Sequence, residues 1–146
     1  MTQDVRFSRD VAGDMLLPLQ AKLDSGAGAM LIRLYDGTRP AKPEDGVGAC
    51  TKLAENPSSN STTCATETPE GTLTFAAITT VNAETFTGPS TRTATWARWC
   101  TSAGTAVFDC DVGVTGSGKF IEMVSTSIVS GAPVAYSSAT ITMPGG

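Results

Sequence analysis

The chain has 146 residues, of which 40% are apolar and 16% are charged, and its formal net charge is −4. This length and composition are typical of one globular domain with its own hydrophobic core and argue against an intrinsically disordered chain. No stretch is rich in lysine or arginine, and no apolar run is long enough to cross a bilayer, so we expect neither a nucleic-acid nor a membrane partner. The N-terminus also lacks the hydrophobic core of a signal peptide.

The clearest helical signal covers residues 8–24, inside a predicted N-terminal helical segment or arm at residues 1–27. Ser8 is a suitable N-cap, and Pro18 should kink or split the helix because it removes a backbone hydrogen bond. The helix either lies against its own domain or packs as an arm on a neighbouring subunit, which makes Met15, Leu16 and Leu19 contact candidates. Apolar side chains recur there at helical spacing, namely Val11, Met15, Leu16, Leu19 and Leu23.

The rest of the chain, residues 28–146, is predicted to be an all-β, mainly antiparallel domain of the β-sandwich or jelly-roll type. Short runs of β-branched and apolar residues alternate with turn-forming segments, as in such domains. The polar segment 55–71 is predicted to be an exposed excursion. Strands are predicted at residues 29–35, 47–54, 72–81, 92–100, 105–112, 119–128 and 134–143.

Segments 92–100 and 105–112 are predicted to form a hairpin in which Cys100 faces Thr105 and Ala97 faces Phe108. Because side chains alternate along a strand, Trp99 then joins the apolar face. The hairpin therefore has one apolar face, and the alternate side chains, which point the opposite way, form its second face.

Trp96 and Arg98 occupy that second face, where an outward tryptophan is well suited to a subunit contact. We therefore treat Trp96, Arg98 and Trp99 as contact candidates. The alternative is that both tryptophans lie in cores or under loops. Asp109 and Asp111 are predicted to point to solvent, and a calcium site formed by them is a minor alternative.

Four cysteines are cross-link candidates, and they allow three disulfide connectivities. A bridge between Cys100 and Cys110 is disfavoured, because the predicted hairpin places them on opposite faces and far apart. Cys64 in its polar loop and Cys100 at a strand end are better placed to bond to another subunit. The alternative is that all four are free thiols. The candidates are Cys50, Cys64, Cys100 and Cys110.

Residues that commonly carry catalysis or bind metals are scarce. The chain has no histidine, and no two cysteines have C-x-x-C spacing. The segment GVTGSGK at residues 113–119 has the glycine and lysine spacing of a phosphate loop, but Phe120 replaces the required Ser or Thr and the next segment is predicted to be a strand. We expect no cofactor, no metal and no enzymatic activity.

Several segments between about residue 15 and the end of the chain form a recognisable series, namely LLPLQAKLDSGAGA, IRLYDGTRPAKPEDG, GTLTFAAIT, TATWARW, FDCDVGVTGSG and ATITMPGG. Together, in this order, they resemble small β-sandwich structural proteins in the virions of tailed bacteriophages. The chain departs from that pattern in its cysteines and in the polar insertion around Cys64, which suggests added covalent cross-links.

The resemblance implies a capsid decoration or linking protein that binds the major capsid protein and copies of itself as a homotrimer. It would be made in the host cytoplasm, act on the capsid exterior and be reinforced by disulfides. Two alternatives remain. One is a neck, collar or tail accessory protein, and the other is a receptor- or carbohydrate-binding module of a fibre that uses Trp96 or Trp99 for stacking.

Overall fold

The computed structural model describes residues 7–59, 65–68, 71–136 and 140–142. Within these ranges two short helices, α1 (Arg9–Asp14) and α2 (Leu17–Leu23), precede a chain that is mainly β. The prediction of a mainly β chain that begins with helical structure is confirmed. The strands are β1 (Leu31–Tyr35), β2 (Lys52–Pro57), β3 (Ala65–Thr68), β4 (Thr72–Phe75), β5 (Val81–Asn82), β6 (Thr91–Thr93), β7 (Trp96–Cys100), β8 (Ala106–Val114), β9 (Ile121–Met123), β10 (Ser127–Val129), β11 (Pro133–Val134) and β12 (Thr140–Thr142).

The helical segment is capped and broken as its sequence predicts. The Ser8 side chain accepts a 3.4 Å hydrogen bond from the backbone N–H of Val11, so Ser8 is the N-cap of α1. The helix is split, and Pro18 lies in the first turn of α2. A proline is tolerated there because the first N–H groups of a helix have no partner within the helix.

The predicted apolar stripe is only partly buried. Leu16 and Leu23 belong to the hydrophobic core and Leu19 packs against it, whereas Val11 and Met15 are largely exposed. The buried stripe instead runs through Ala12, Leu16, Leu19 and Leu23, at helical intervals of four, three and four residues, and it leaves Val11 and Met15 beside it. Leu16 and Leu19 therefore contact their own domain, and of the three predicted helical contact residues only Met15 is exposed.

The largest sheet has five strands in the order β2-β1-β7-β8-β9. Its pairs are antiparallel except for β8 and β9, which run parallel with Val112 opposite Ile121. A second sheet has the order β12-β4-β3, and two strand pairs, β10-β6 and β11-β5, complete the described strands.

Several predicted strands are shorter than their sequences suggest. The predicted strand 47–54 begins only at Lys52. Each of four other predicted strands overlaps two separate short strands, namely 72–81, 92–100, 119–128 and 134–143. The predicted excursion 55–71 includes the end of β2 and all of β3, and its residues 60–64 and 69–70 lie outside the described residues. Asn56 in β2 is polar but fully buried. Its amide donates hydrogen bonds to Thr79 O and Val134 O, which offset the cost of burying it.

One hydrophobic cluster joins the sheets and the helices. At its centre the ring of Trp99 lies 4.3 Å from that of Phe75 and 5.2 Å from that of Phe108, measured between centroids. Phe75 belongs to β4 and Trp99 to β7, so this contact joins the two larger sheets. Trp99 is thus a core residue and is not available for a subunit contact.

Candidate functional site

The β7–β8 hairpin has a different register from the predicted one. Ala97 lies opposite Cys110 rather than Phe108, and the register shifts between Trp99 and Cys100. Relative to the prediction, the main part of the pairing is moved by two residues. A shift of two preserves the faces of a strand, which is why Trp99 was correctly assigned to the apolar face.

Four charged side chains form a row across the other face of the five-stranded sheet. The pairing aligns Glu55, Arg33, Arg98 and Asp109 on β2, β1, β7 and β8. The Arg33 Nε lies 2.6 Å from Oε2 of Glu55, and Nε and Nη2 of Arg98 each lie 2.8 Å from an oxygen of Asp109. The two central guanidinium groups are therefore each neutralised by an outer carboxylate.

The Arg98–Asp109 pair is buried. The Asp109 side chain is only 5% exposed, so the prediction that it points to solvent is wrong. Hydrogen bonding to Asp109 raises the pKa of Arg98. At the other end of the row burial pulls the pKa of Glu55 upward, but its hydrogen bond to Arg33 and the nearby charge of Lys52 lower it overall.

A loop of residues 36–51, which we term the cover loop, lies over this charged row. Its ends are joined because the Asp36 N–H donates to Thr51 O over 3.2 Å and the Thr51 N–H donates to Oδ1 of Asp36 over 2.5 Å. Arg98 Nη1 donates to Asp45 O over 3.1 Å, which fixes the middle of the loop to the sheet. Such a loop with adjacent ends is an Ω-loop.

Trp96 is covered by the same loop. It is 1% exposed, its ring stacks on Tyr35 at 4.5 Å, and its Nε1 donates to Asp36 O over 3.0 Å. The predictions that Trp96 points outward and that Trp96 and Arg98 contact another subunit are therefore wrong. The alternative, with both tryptophans in cores or under loops, is confirmed.

The turn of the hairpin also contacts the charged row. Gly104 has a φ of +86°, and its carbonyl accepts a 3.3 Å hydrogen bond from Nη1 of Arg33. A Cβ at this position would lie 2.7 Å from Nη2 of Arg33. Glycine is thus required both by the backbone conformation and by the close approach of the guanidinium group.

Asp111 lies at the exposed edge of the site, as predicted. It is 3.2 Å from Arg39 and 3.9 Å from Lys119, so its neighbours are cations. Among the described residues no group of three or more histidine, cysteine or acidic side chains is arranged to hold a metal ion.

The described cysteines are free thiols in three different environments. Cys110 lies in the core, where Trp99 Nε1 donates to its sulfur over 3.3 Å and burial raises its pKa to about 12. Cys100 is buried beside the charged row, and burial raises its pKa although Arg33 lowers it. The prediction that Cys100 is well placed to reach a partner is therefore wrong.

Cys50 is the partly exposed thiol of this set. Its S–H donates to Thr38 O over 3.2 Å inside the cover loop. Cys64, the other cysteine predicted to reach a partner, lies outside the described residues. The intersubunit disulfide thus stays a prediction, with Cys50 and Cys64 as its remaining candidates.

The glycine-rich segment 113–119 does not form a phosphate loop. The N–H groups of Gly116 and Gly118 donate to the two carboxylate oxygens of Glu122 at 3.0 and 2.9 Å. These bonds lower the pKa of Glu122. The donors that would hold a bound anion therefore hold a side chain of the same protein, and the following segment is strand β9, as predicted.

Six large apolar side chains are exposed among the described residues. One is Val114 at the end of β8, and the other five fall in two areas. The first, which we term the helical ridge, consists of Val11, Met15 and Leu17, each 45–46% exposed. The second includes Val124, which is 89% exposed, and Val129, which is 47% exposed.

The second area surrounds a groove of about 260 Å³ that is lined by ten residues between Met123 and Ala135. We term it the charge-free face, because none of these residues is acidic or basic. The prediction of contact residues missed this area. The available signal was the complete absence of Asp, Glu, Lys and Arg after Glu122.

No helix among the described residues is long and apolar enough to cross a membrane. No protein-family model matches the sequence, and comparisons with curated proteins and with solved structures find no match. The resemblance to phage virion proteins therefore stays a prediction based on the sequence segments that carry it.

Proposed function

We propose that this protein is a structural component of a bacteriophage virion, a capsid decoration or linking protein. In this proposal it forms a homotrimer on the capsid exterior and stabilises adjacent copies of the major capsid protein. The sequence segments that resemble phage β-sandwich proteins support it. A sandwich architecture is part of the same proposal and is supported by the contact of Phe75 in β4 with Trp99 in β7.

The helical ridge is the observation that carries the proposal. The helical segment has apolar side chains on two sides: Leu16 and Leu23 enter the core, while Val11, Met15 and Leu17 face outward. A helix that is apolar on more than one side is typical of a segment that is buried in a larger structure. Covering the three half-exposed side chains would contribute roughly 1 kcal/mol each.

The ridge is suited to a contact made on assembly rather than to a reaction. Asp10 and Asp14 are exposed on α1, and the inner side of the helices is already packed on the domain. The ridge is therefore presented on a fixed support, which reduces the entropy lost on binding. In the proposal it lies against the major capsid protein.

The carbohydrate-binding alternative loses its support. It required Trp96 or Trp99 as a stacking platform, and both are buried. The neck, collar or tail alternative uses the same kind of contact surface, so it differs from decoration in copy number.

Quantitative mass spectrometry of purified particles tests the position. We expect on the order of hundreds of copies per particle for a decoration protein, against a small ring-sized number for a neck or tail protein. Absence of the protein from intact particles would overturn the proposal.

A rebinding assay tests the surface. Particles that lack the protein are mixed with purified wild type, with Met15→Asp, or with Ala103→Asp. We expect Met15→Asp to weaken binding about tenfold or more, because a carboxylate would be buried at the contact. Ala103→Asp places the same group in the exposed β7–β8 turn and should bind as the wild type does. Equal binding by all three would show that the ridge is not the contact.

A further inference from the structure

We propose that the charge-free face is where copies of this chain contact one another around the symmetry axis of the oligomer. This inference rests on the proposed function, which includes self-association, and adds which surface carries it. The occupant of the face is a second copy of the same chain.

Exposure and shape single out this face. Val124, between β9 and β10, is 89% exposed, which is the highest value for a large apolar side chain in the described part of the chain. Beside it the groove has a buried floor that includes Met123, Ile128 and Val134. Apolar side chains at a groove rim, above a closed apolar floor, are an arrangement that another protein surface can fill.

The distribution of charge points to a second copy as the occupant. Near a rotation axis each residue approaches the same residue of another copy, so a charged group there meets a like charge. The chain carries 14 acidic and 10 basic residues, and all of them precede residue 123. The groove lining therefore adds no charged side chain to a contact between copies of this acidic protein. The charged neighbours lie at its border, where Glu122 precedes Met123, Arg92 pairs with Ile128 and the Glu84 carbonyl accepts from the Gly131 N–H.

The backbone of the face is held in place before any contact forms. Ala94 N–H donates to Thr126 O and Ala83 N–H donates to Ala132 O, both over 2.8 Å. The buried Asn56 donates to Val134 O over 3.1 Å. Little ordering is then needed on association, so the burial of Val124 and Val129 is available as binding free energy.

Sedimentation equilibrium of the full chain under reducing conditions tests the proposal. We expect the wild type to associate reversibly in the micromolar range, and Val124→Asp to raise the dissociation constant about tenfold or more. Val11→Asp makes the same substitution on the helical ridge and should associate as the wild type does. The proposal would be overturned if the wild type stayed monomeric at about 100 µM, roughly the highest practical concentration. It would also be overturned if Val11→Asp dissociated while Val124→Asp did not.

Cross-linking provides a second readout that does not depend on a destabilising change. In a Cys50→Ser, Cys64→Ser background, Ser125→Cys places a thiol next to Val124. We expect oxidation to give a disulfide-linked dimer on a non-reducing gel, since the same position recurs across the axis. Ser117→Cys, in the exposed turn after β8, is the control and should stay monomeric. Equal yields from both variants would indicate random collision and contradict the proposal.

The two proposals can fail separately, because association is measured without particles. A monomeric protein that still binds capsids would remove the inference and leave the proposed function. A protein that self-associates through Val124 but is absent from virions would leave the inference about the contact surface and remove the proposed function.

Discussion

The two sides of this molecule that differ most are the charged row under the cover loop and the charge-free face. The first contains Trp96, Arg98 and Asp109, which attract attention in the sequence, and the structure gives each of them a partner within the chain. The second contains only serine, threonine and small or apolar residues, yet Val124 there has almost no cover.

The difference shows which surfaces remain available for binding. A tryptophan or an ion pair that is already hydrogen-bonded and buried has little to gain from another molecule. An exposed valine gains free energy as soon as it is covered. In this protein the chemically conspicuous cluster stabilises the fold, and the plain surface is the one left for partners.

The largest effect is expected from breaking the charged row. Arg98→Ala leaves Asp109 buried without its partner and should lower the free energy of unfolding by about 3–5 kcal/mol in urea titrations. Arg39→Ala removes the exposed pair with Asp111 and should cost less than about 1 kcal/mol. Similar losses in the two variants would mean that the cover loop does not seal the row.

Thiol reactivity tests the same seal without a stability measurement. In a Cys64→Ser variant, alkylation at pH 8 should modify Cys50 at least about a hundredfold faster than Cys100 or Cys110. Both slow thiols are buried, and burial raises their pKa, that of Cys110 to about 12. Peptide mass spectrometry over time measures the ratio, and rapid modification of Cys100 would show that the covered side is open.

A smaller effect is expected at Asn56, which follows Glu55 of the charged row in β2 and hydrogen-bonds to Val134 of the charge-free face. Asn56→Ala removes the amide that donates to Thr79 O and Val134 O and that accepts from the Tyr136 hydroxyl. We expect a loss of about 2 kcal/mol and faster amide exchange near Val134. Asn82→Ala, an exposed position in β5, is the control and should change stability by less than about 0.5 kcal/mol. An Asn56→Ala variant as stable as this control would contradict the proposed role.

The smallest effect concerns Glu122, at the border of the charge-free face. Its pKa is lowered from 4.5 by the N–H groups of Gly116 and Gly118. A carboxyl with a depressed pKa in the folded state stabilises the fold above its ordinary pKa, and this contribution is lost as the pH falls through the folded-state value. We therefore expect the stability difference between wild type and Glu122→Gln to shrink on acidification, and the carboxyl to titrate below 4.5 by NMR. A Glu122 carboxyl that titrated at or above 4.5 would contradict the stabilisation by the Gly116 and Gly118 N–H groups.

Local chemistry was sufficient to predict much of the fold. The Ser8 cap, the break near Pro18 and the alternation that puts Trp99 in the core each depend on a few neighbouring residues. Strand lengths were less predictable, because a run such as 119–128 is apolar enough for one strand but bends after Met123. The first half of this run, β9, pairs with β8 just before it, whereas the second half, β10, pairs with the more distant β6.

The site was less predictable than the fold. Nothing near Trp96 in the sequence indicates that residues 36–51 fold back over it, since that contact joins segments about 60 positions apart. Asp109 looked solvated because alternation gives its face but not what covers that face. The charge-free face is marked in the sequence only by a missing residue type, and an absence of charge does not by itself distinguish an exposed segment from a buried one.

The closed ends of the cover loop have a practical consequence. The hydrogen bonds between Asp36 and Thr51 close the base of the cover loop whatever the number of residues between them. Added residues therefore cost little loop-closure entropy. Foreign peptide inserted next to Ala41, which is exposed, would project from a base that the sheet keeps rigid. This makes the chain a scaffold for displaying grafted epitopes.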